Sequence, residues 1–233
     1  MNPTSNTARV AGLLYLIIII SGIFAEFFVR SSLIVPGDAT ATANNIMASG
    51  SLFRMGIVSD TIMIICDIAL ALIFYLLLKP VSNALSLLAA FFRLVQSAVL
   101  GANLLMLFFV LQILNGADYL QALGTEQSHA LSMMFLNAHG IGYSIALIFF
   151  GIHCFILGWL VFRSGYFPRV LGILLIIASL GYLTDSFAKT LMSNYDQYET
   201  TFALVVFAPA FIAELSMCLW LILKGVKVPE TAS

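Results

Sequence analysis

Residues 133–162 read MMFLNAHGIGYSIALIFFGIHCFILGWLVF, thirty positions without one Asp, Glu, Lys or Arg. A helix crosses the hydrocarbon layer of a bilayer with ~20 apolar residues. This run is long enough to span at a tilt or to project beyond the bilayer. Both of its histidines fall on one stripe that begins just before the run. Ser132, His139, Ala146 and His153 recur at strict sevens, with Tyr143 beside His139, so they share one face of a helix.

Five further apolar runs flank it: Val10–Phe28, Ile57–Leu78, Leu85–Leu114, Val170–Phe187 and Phe202–Leu223. Across the 233 residues, 61% are hydrophobic and 9% charged, and the mean hydropathy is +1.05. A soluble domain carries about 25% charged residues, so this chain has too few to coat a water-facing surface. The expected fold is an all-α membrane protein, a bundle of six transmembrane helices forming a single polytopic domain over residues 1–233. Its first partner is the lipid bilayer. A net charge of −1 and a pI near 6.3 leave no basic face for nucleic acid. Cys66, Cys154 and Cys218 all lie inside spans and read as small packing residues, not as a disulfide framework. The first run follows a single Arg9, is too long for a signal-peptide core and has no small-residue cleavage site after it, so it reads as a retained span.

Lys and Arg set the expected orientation. With the N-terminus inside, Arg9, Lys79, Arg163, Arg169, Lys224 and Lys227 fall at cytoplasmic ends, Arg30, Arg54 and Lys189 at outer ends, and Arg93 within a span. Six against three favours both termini in the cytoplasm, and size and simplicity point to a bacterial inner membrane. The outer loop Pro36–Leu52 carries Asp38 as an N-cap before a short interfacial helix. The loop Asn115–His129 contains no Lys or Arg, as an outside location requires, and Pro168 is placed to start the fifth helix.

The chain also repeats itself faintly. Arg9-Val10-Ala11-Gly12 leads to Glu26 and Arg30, and Arg169-Val170-Leu171-Gly172 leads to Asp185 and Lys189, so spans one and five each end on an acid and a base four residues apart. Tyr75 with Lys79, Trp159 with Arg163 and Trp220 with Lys224 close the three even spans, although aromatic belts with snorkelling cations are generic anchors. The match between spans one and five points to hairpins related by a parallel pseudo-repeat, an arrangement some transporters use.

Three stretches resemble a known family. They are Arg9-Val10-Ala11-Gly12-Leu13-Leu14-Tyr15; Leu78-Lys79-Pro80-Val81 with Ala89-Ala90-Phe91-Phe92-Arg93; and Phe149-Phe150-Gly151-Ile152-His153-Cys154 running on to Arg169-Val170-Leu171-Gly172. They are similar to a bacterial family of multi-pass membrane proteins catalogued only as a domain of unknown function. The resemblance covers essentially the whole chain. It implies the architecture and brings no reaction and no catalytic residues with it.

An ionisable side chain within a span costs a few kcal/mol on insertion scales, so each needs a partner or a purpose. Asp60 and Asp67 lie seven apart with Phe53 and Phe74, and Ser86, Arg93, Gln96 and Asn103 form one stripe. Glu26 joins Tyr15 and Gly22, and Glu214 joins Ala203, Phe207 and Ala210. At ~1.5 Å of rise per residue these sort by depth. Glu26, Asp60, Asn103, His139, Tyr143 and Asp185 fall in the outer third, rimmed by Arg30, Arg54 and Lys189. Asp67, Arg93, Gln96 and Glu214 fall nearer the middle, and His153 toward the inner third. A polar layer over a charged floor describes a ligand cavity and a buried structural network alike. The middle layer fits both, whereas the acids of the outer layer exceed what simple pairing needs and favour a cavity.

Sharper chemistry finds little support. His139 and His153 are ~21 Å apart along the axis and cannot share a metal ion. A two-haem helix needs matching histidines on a second helix, and His129 begins the same one. A zinc site of His139 with Asp60, Glu26 or Asp185 offers a single imidazole. HExxH, GxSxG and phosphate-binding glycine loops are absent from the sequence. No metal and no cofactor is therefore expected. The leading expectation is binding or transport of a small solute or ion through an outward-opening polar cavity, with Arg93 holding an anionic group. The rivals are an intramembrane enzyme acting on a lipid-like substrate and a non-catalytic membrane subunit or sensor.

Overall fold

A computed structural model describes residues 3–116, 122 and 124–226. Lys227 and positions 117–121 and 123 of the loop expected outside lie beyond the described residues. Helix α1 runs Pro3–Ile23 and continues as a π-helix, Phe24–Arg30, and a last turn, Ser31–Leu33. Then come α2 (Ala39–Ala48), α3 (Gly50–Leu78), α4 (Asn83–Leu114), α5 (Thr125–Ser164), α6 (Arg169–Leu191) and α7 (Glu199–Leu223), with a short 3₁₀ turn at Tyr195–Gln197. Among the described residues there is no strand.

Six helices are long and apolar enough to cross a membrane: Ser5–Leu33, Gly50–Leu78, Asn83–Leu114, Thr125–Arg163, Arg169–Leu191 and Thr200–Leu223. They contain the six runs read from the sequence, and the chain is a multi-pass helical membrane protein. The helices extend beyond the apolar runs at most ends because an unpaired backbone N–H or C=O in hydrocarbon is costly, so the hydrogen-bond ladder continues into polar residues such as Thr125–Ser132. Lipid accounts for the surface. On α3, Val58, Ile62, Ile65, Leu72 and Leu76 are exposed at helical spacing, while Phe53, Asp60, Asp67 and Phe74, seven apart, are buried on the opposite stripe. The three cysteines are buried free thiols.

The chain divides into two compact units. One comprises residues 3–17, 65–98 and 144–226. Its helices meet through small residues. A Cβ built on Gly172 would lie 2.5 Å from the carbonyl oxygen of Gly158, and one on Gly158 would lie 2.7 Å from that of Gly172, so α5 and α6 approach backbone to backbone. Gly12 does the same for α1 against α7, where a Cβ would lie 2.8 Å from the Ile222 nitrogen. Cys218 Sγ donates to the Gly12 carbonyl at 3.4 Å. Tyr15, Leu70, Leu77, Leu157, Leu160 and Met217 fill the interior. After α5, Gly165 turns with φ +75°. The Tyr166 hydroxyl then donates to the Leu77 carbonyl at 2.6 Å, satisfying an acceptor in the last turn of α3.

The second unit comprises Ile18–Ile64 and Val99–Tyr143. The expected short helix is α2, and the Asp38 side chain caps it by accepting from Ala41 N at 2.8 Å. Asn45 Nδ2 reaches the Leu33 carbonyl at 3.1 Å, and Thr42 exchanges hydrogen bonds with Val35 at 2.9 and 3.2 Å, which ties α2 to the end of α1. Within the same unit the Ser59 hydroxyl donates to the Ser21 carbonyl at 3.0 Å, and Phe109 and Phe135 stack at 5.2 Å.

Candidate functional site

The first unit is built around Arg93. Its side chain is fully enclosed, with 0% of the residue exposed. Nη2 pairs with Asp67 Oδ1, and Nη1 lies 3.0 Å from His153 Nε2. His153 Nδ1 is 2.8 Å from the Ala89 carbonyl, which can only accept, so the imidazole carries its proton on Nδ1 and presents a lone pair to the guanidinium. His153 is thus a neutral partner. Gln96 Nε2 donates to the other Asp67 oxygen at 3.2 Å. The guanidinium carbon lies 5.7 Å from the ring centre of Tyr15 and 5.3 Å from that of Phe150, a cation–π arrangement on two rings. Ser97 closes the backbone by donating to the Arg93 carbonyl at 2.9 Å.

Beside this core, the Tyr182 hydroxyl donates to Glu214 Oε1 at 2.5 Å, and the Tyr182 ring meets Phe150 edge-on at 5.2 Å. Glu214 lies within electrostatic reach of Arg93, Asp67 and Tyr15. Three polar atoms of the core make no hydrogen bond among the described residues: Tyr15 Oη, Arg93 Nε and Gln96 Oε1. A donor–acceptor hydroxyl, an N–H donor and a carbonyl acceptor are thus buried and unpartnered in one unit. Such a group costs about 1–3 kcal/mol on mutational scales.

The second unit holds a different arginine cluster. Arg30, from the π-helical stretch of α1, sends Nε to Glu26 at 2.8 Å and Nη1 to Asp60 at 2.5 Å. Arg30 and Asp60 are buried, whereas the Glu26 side chain is 53% exposed. Asp60 Oδ1 has no partner among the described residues. Asn103 Nδ2 donates to the His139 carbonyl at 2.8 Å. Its amide occupies the space a side chain at Gly142 would need. The His139 and Tyr143 rings lie 6.2 Å apart. Among the described residues, no three His, Cys, Asp or Glu side chains form a group that could hold a metal ion.

Several sequence expectations are corrected by these contacts. His153, expected toward the inner third, is a direct partner of Arg93, because α4 and α5 bring the two side chains together across the chain. Arg93 is paired with Asp67. Glu214, placed in the middle layer with Arg93, bonds to Tyr182. Glu26 and Arg30 exchange places. The buried seam of α1 runs through Ala11, Tyr15, Ile18, Ser21, Ala25 and Val29, so Glu26 falls one position off it. The wider π turn then buries Val29 and Arg30 in succession. Asp185 belongs to the first unit and has its own partners there, Lys189 at 3.1 Å and the Tyr195 hydroxyl at 2.5 Å. Tyr182, Tyr195 and Phe150 went unnoticed as site residues, since a tyrosine or phenylalanine in a span reads as packing until its neighbour is known.

The known proteins that the chain is similar to carry no assigned activity. An archaeal protein from Archaeoglobus fulgidus, described as uncharacterized, is 34% identical over 177 residues, covering 76% of this chain and 88% of that protein. No solved structure matches the chain. The family described as "Domain of unknown function (DUF4386)" matches residues 10–225, and the chain belongs to it.

Proposed function

We propose that this protein binds a small polar solute or ion at the Arg93 cluster and carries it across the membrane. The observation that supports this reading is the set of unpartnered, buried polar atoms around a matched ion pair: Tyr15 Oη, Arg93 Nε and Gln96 Oε1. A network serving packing alone gains by satisfying every member, and a half-satisfied one is worse than an apolar core. A bound solute supplies the missing partners. With the two terminal nitrogens of Arg93 occupied by Asp67 and His153, the ligand meets an N–H, a hydroxyl and an amide carbonyl, which suits a small hydrogen-bonding species better than a bulky anion.

A second reading has its own support. Arg93–Asp67, Arg30–Glu26, Arg30–Asp60 and Asp185–Lys189 are all ion pairs, as in a subunit whose intramembrane charges serve only packing. Tyr15→Phe separates the two. It deletes a hydroxyl that makes no hydrogen bond among the described residues, so packing is preserved. In detergent, wild type should be thermally stabilised by at least one member of a panel of sodium, ammonium, acetate and glycine, and Y15F by none. Equal stabilisation of both forms would overturn the assignment of the site.

Two features of the chain bear on transport. Cytoplasmic termini follow from the Lys and Arg distribution. A parallel repeat of hairpins is supported by the i,i+4 ion pairs at the ends of both α1 and α6 and by the close backbone approaches of Gly12 and Gly172, which occupy equivalent places in the repeated segments.

A further inference from the structure

We infer that Glu214 is the proton-carrying group of this cluster, taking up and releasing one proton while the Tyr182 hydroxyl holds its carboxyl in place. The inference rests on the binding reading above and names the coupling ion of the same site.

The argument is one of charge. Among the described residues, the titratable or charged groups facing Glu214 from the neighbouring helices are Tyr15 on α1, Asp67 on α3, Arg93 on α4, Cys154 on α5 and Tyr182 on α6. On α7 itself, Cys218 lies one turn on and is already engaged with the Gly12 carbonyl. His153 is neutral by its hydrogen-bond pattern, as is each phenol and thiol at ordinary pH. Arg93 and Asp67 cancel. Glu214 is half-buried, and when ionised it leaves the cluster with one uncompensated negative charge within a membrane-spanning helix, which is disfavoured. One proton on Glu214 neutralises it. The transfer balances simply: a hydronium gives its proton to the carboxylate, leaving water and a carboxylic acid, and release reverses this.

Geometry assigns the role to Glu214 and not to Asp67. Both Asp67 oxygens are occupied, one by Arg93 and one by Gln96, so a proton there would have to break a contact. The Tyr182 hydroxyl donates to Glu214 Oε1, a bond that a carboxylate or a carboxylic-acid carbonyl can equally accept. Among the described residues no hydrogen bond engages Oε2, where the proton would sit. The adjacent Tyr15, fully buried with an unpartnered hydroxyl, offers the donor–acceptor group a proton path requires.

Infrared difference spectroscopy of the full-length protein in lipid, cycled between acidic and alkaline buffer, reads the proton directly. The expected result is a carboxylic-acid C=O band that appears on acidification, shifts on transfer to heavy water and is lost in Glu214→Gln. Tyr182→Phe should keep the band and move it to higher frequency, since the carbonyl loses a hydrogen bond. Should E214Q fail to fold, the Y182F shift alone decides. A band unchanged in frequency by Y182F, or persisting in E214Q, overturns the inference. So does a cluster that responds to sodium but shows no pH-dependent band. None of these results touches the Y15F comparison, so failure of the proton assignment and failure of the binding site remain distinguishable.

Discussion

Two buried arginines, Arg93 and Arg30, solve the same problem in opposite ways. Arg30 is surrounded by charge, Asp60 on one side and the exposed carboxylate of Glu26 on the other. Arg93 is surrounded by one charge and several neutral groups: Asp67, a lone pair of His153 and the faces of Tyr15 and Phe150. The Arg30 arrangement reaches solvent or headgroups through Glu26 and can exchange partners there. The Arg93 side chain is fully enclosed, and Tyr15 Oη, Arg93 Nε and Gln96 Oε1 beside it make no hydrogen bond among the described residues. Both clusters hold buried polar atoms without a partner among the described residues, Asp60 Oδ1 in one and Tyr15 Oη, Arg93 Nε and Gln96 Oε1 in the other, but only the Arg30 cluster has an exposed member.

The largest expected effect falls on the sealed pair. Arg93→Met leaves Asp67 buried without a counter-charge and should lower stability by about 3–5 kcal/mol, while the double variant Arg93→Met/Asp67→Asn recovers a large part. Arg30→Met, followed by the same thermal unfolding in detergent, should lose roughly 2 kcal/mol, because only Asp60 of its two acids is buried. Equal losses at the two arginines would erase the distinction between them.

Next comes the helix seam that supports the Arg93 unit. Gly172→Ala places a methyl against the Gly158 backbone and should lower stability by about 1–3 kcal/mol. Gly101→Ala on α4, where a Cβ meets nothing within 4 Å, should instead be neutral or stabilising by up to ~1 kcal/mol. At the edge of the same unit, burial pushes the Tyr166 phenol, which lies outside the spans, up to about 12. The sign is that of a group protonated more firmly in the folded state. Its contribution is complete below the ordinary tyrosine value of ~10 and is lost as pH rises from there through about 12. Tyr166→Phe should flatten the alkaline loss of stability over that window. The smallest effect is expected from Glu26→Gln, under ~1 kcal/mol, since an exposed i,i+4 pair contributes little.

The six spans, the capped α2 and the stripes of Asp60 with Asp67 and of Arg93 with Gln96 are legible in the sequence because hydropathy and seven-residue spacing are properties of one helix at a time. Pairings between helices are not. Arg93 and His153 stand sixty residues apart, Tyr182 and Glu214 thirty-two, and no single-helix periodicity encodes which faces meet. Depth assigned by counting rise along each helix does not show that Arg93 and His153 meet, because a long side chain reaches a partner at another level. The π-helix explains the Glu26 and Arg30 exchange, because a stripe drawn at 3.6 residues per turn loses its face once the winding changes at Phe24.

The central claim is that the Arg93 cluster is a ligand site and not packing alone, and Tyr15→Phe tests it most directly. Melting temperature would be measured in detergent with and without sodium, ammonium, acetate and glycine. The account predicts that Y15F without solute melts close to wild type and loses the solute-dependent rise. A Y15F protein that keeps the full rise, or a wild type that none of the four stabilises, would contradict it.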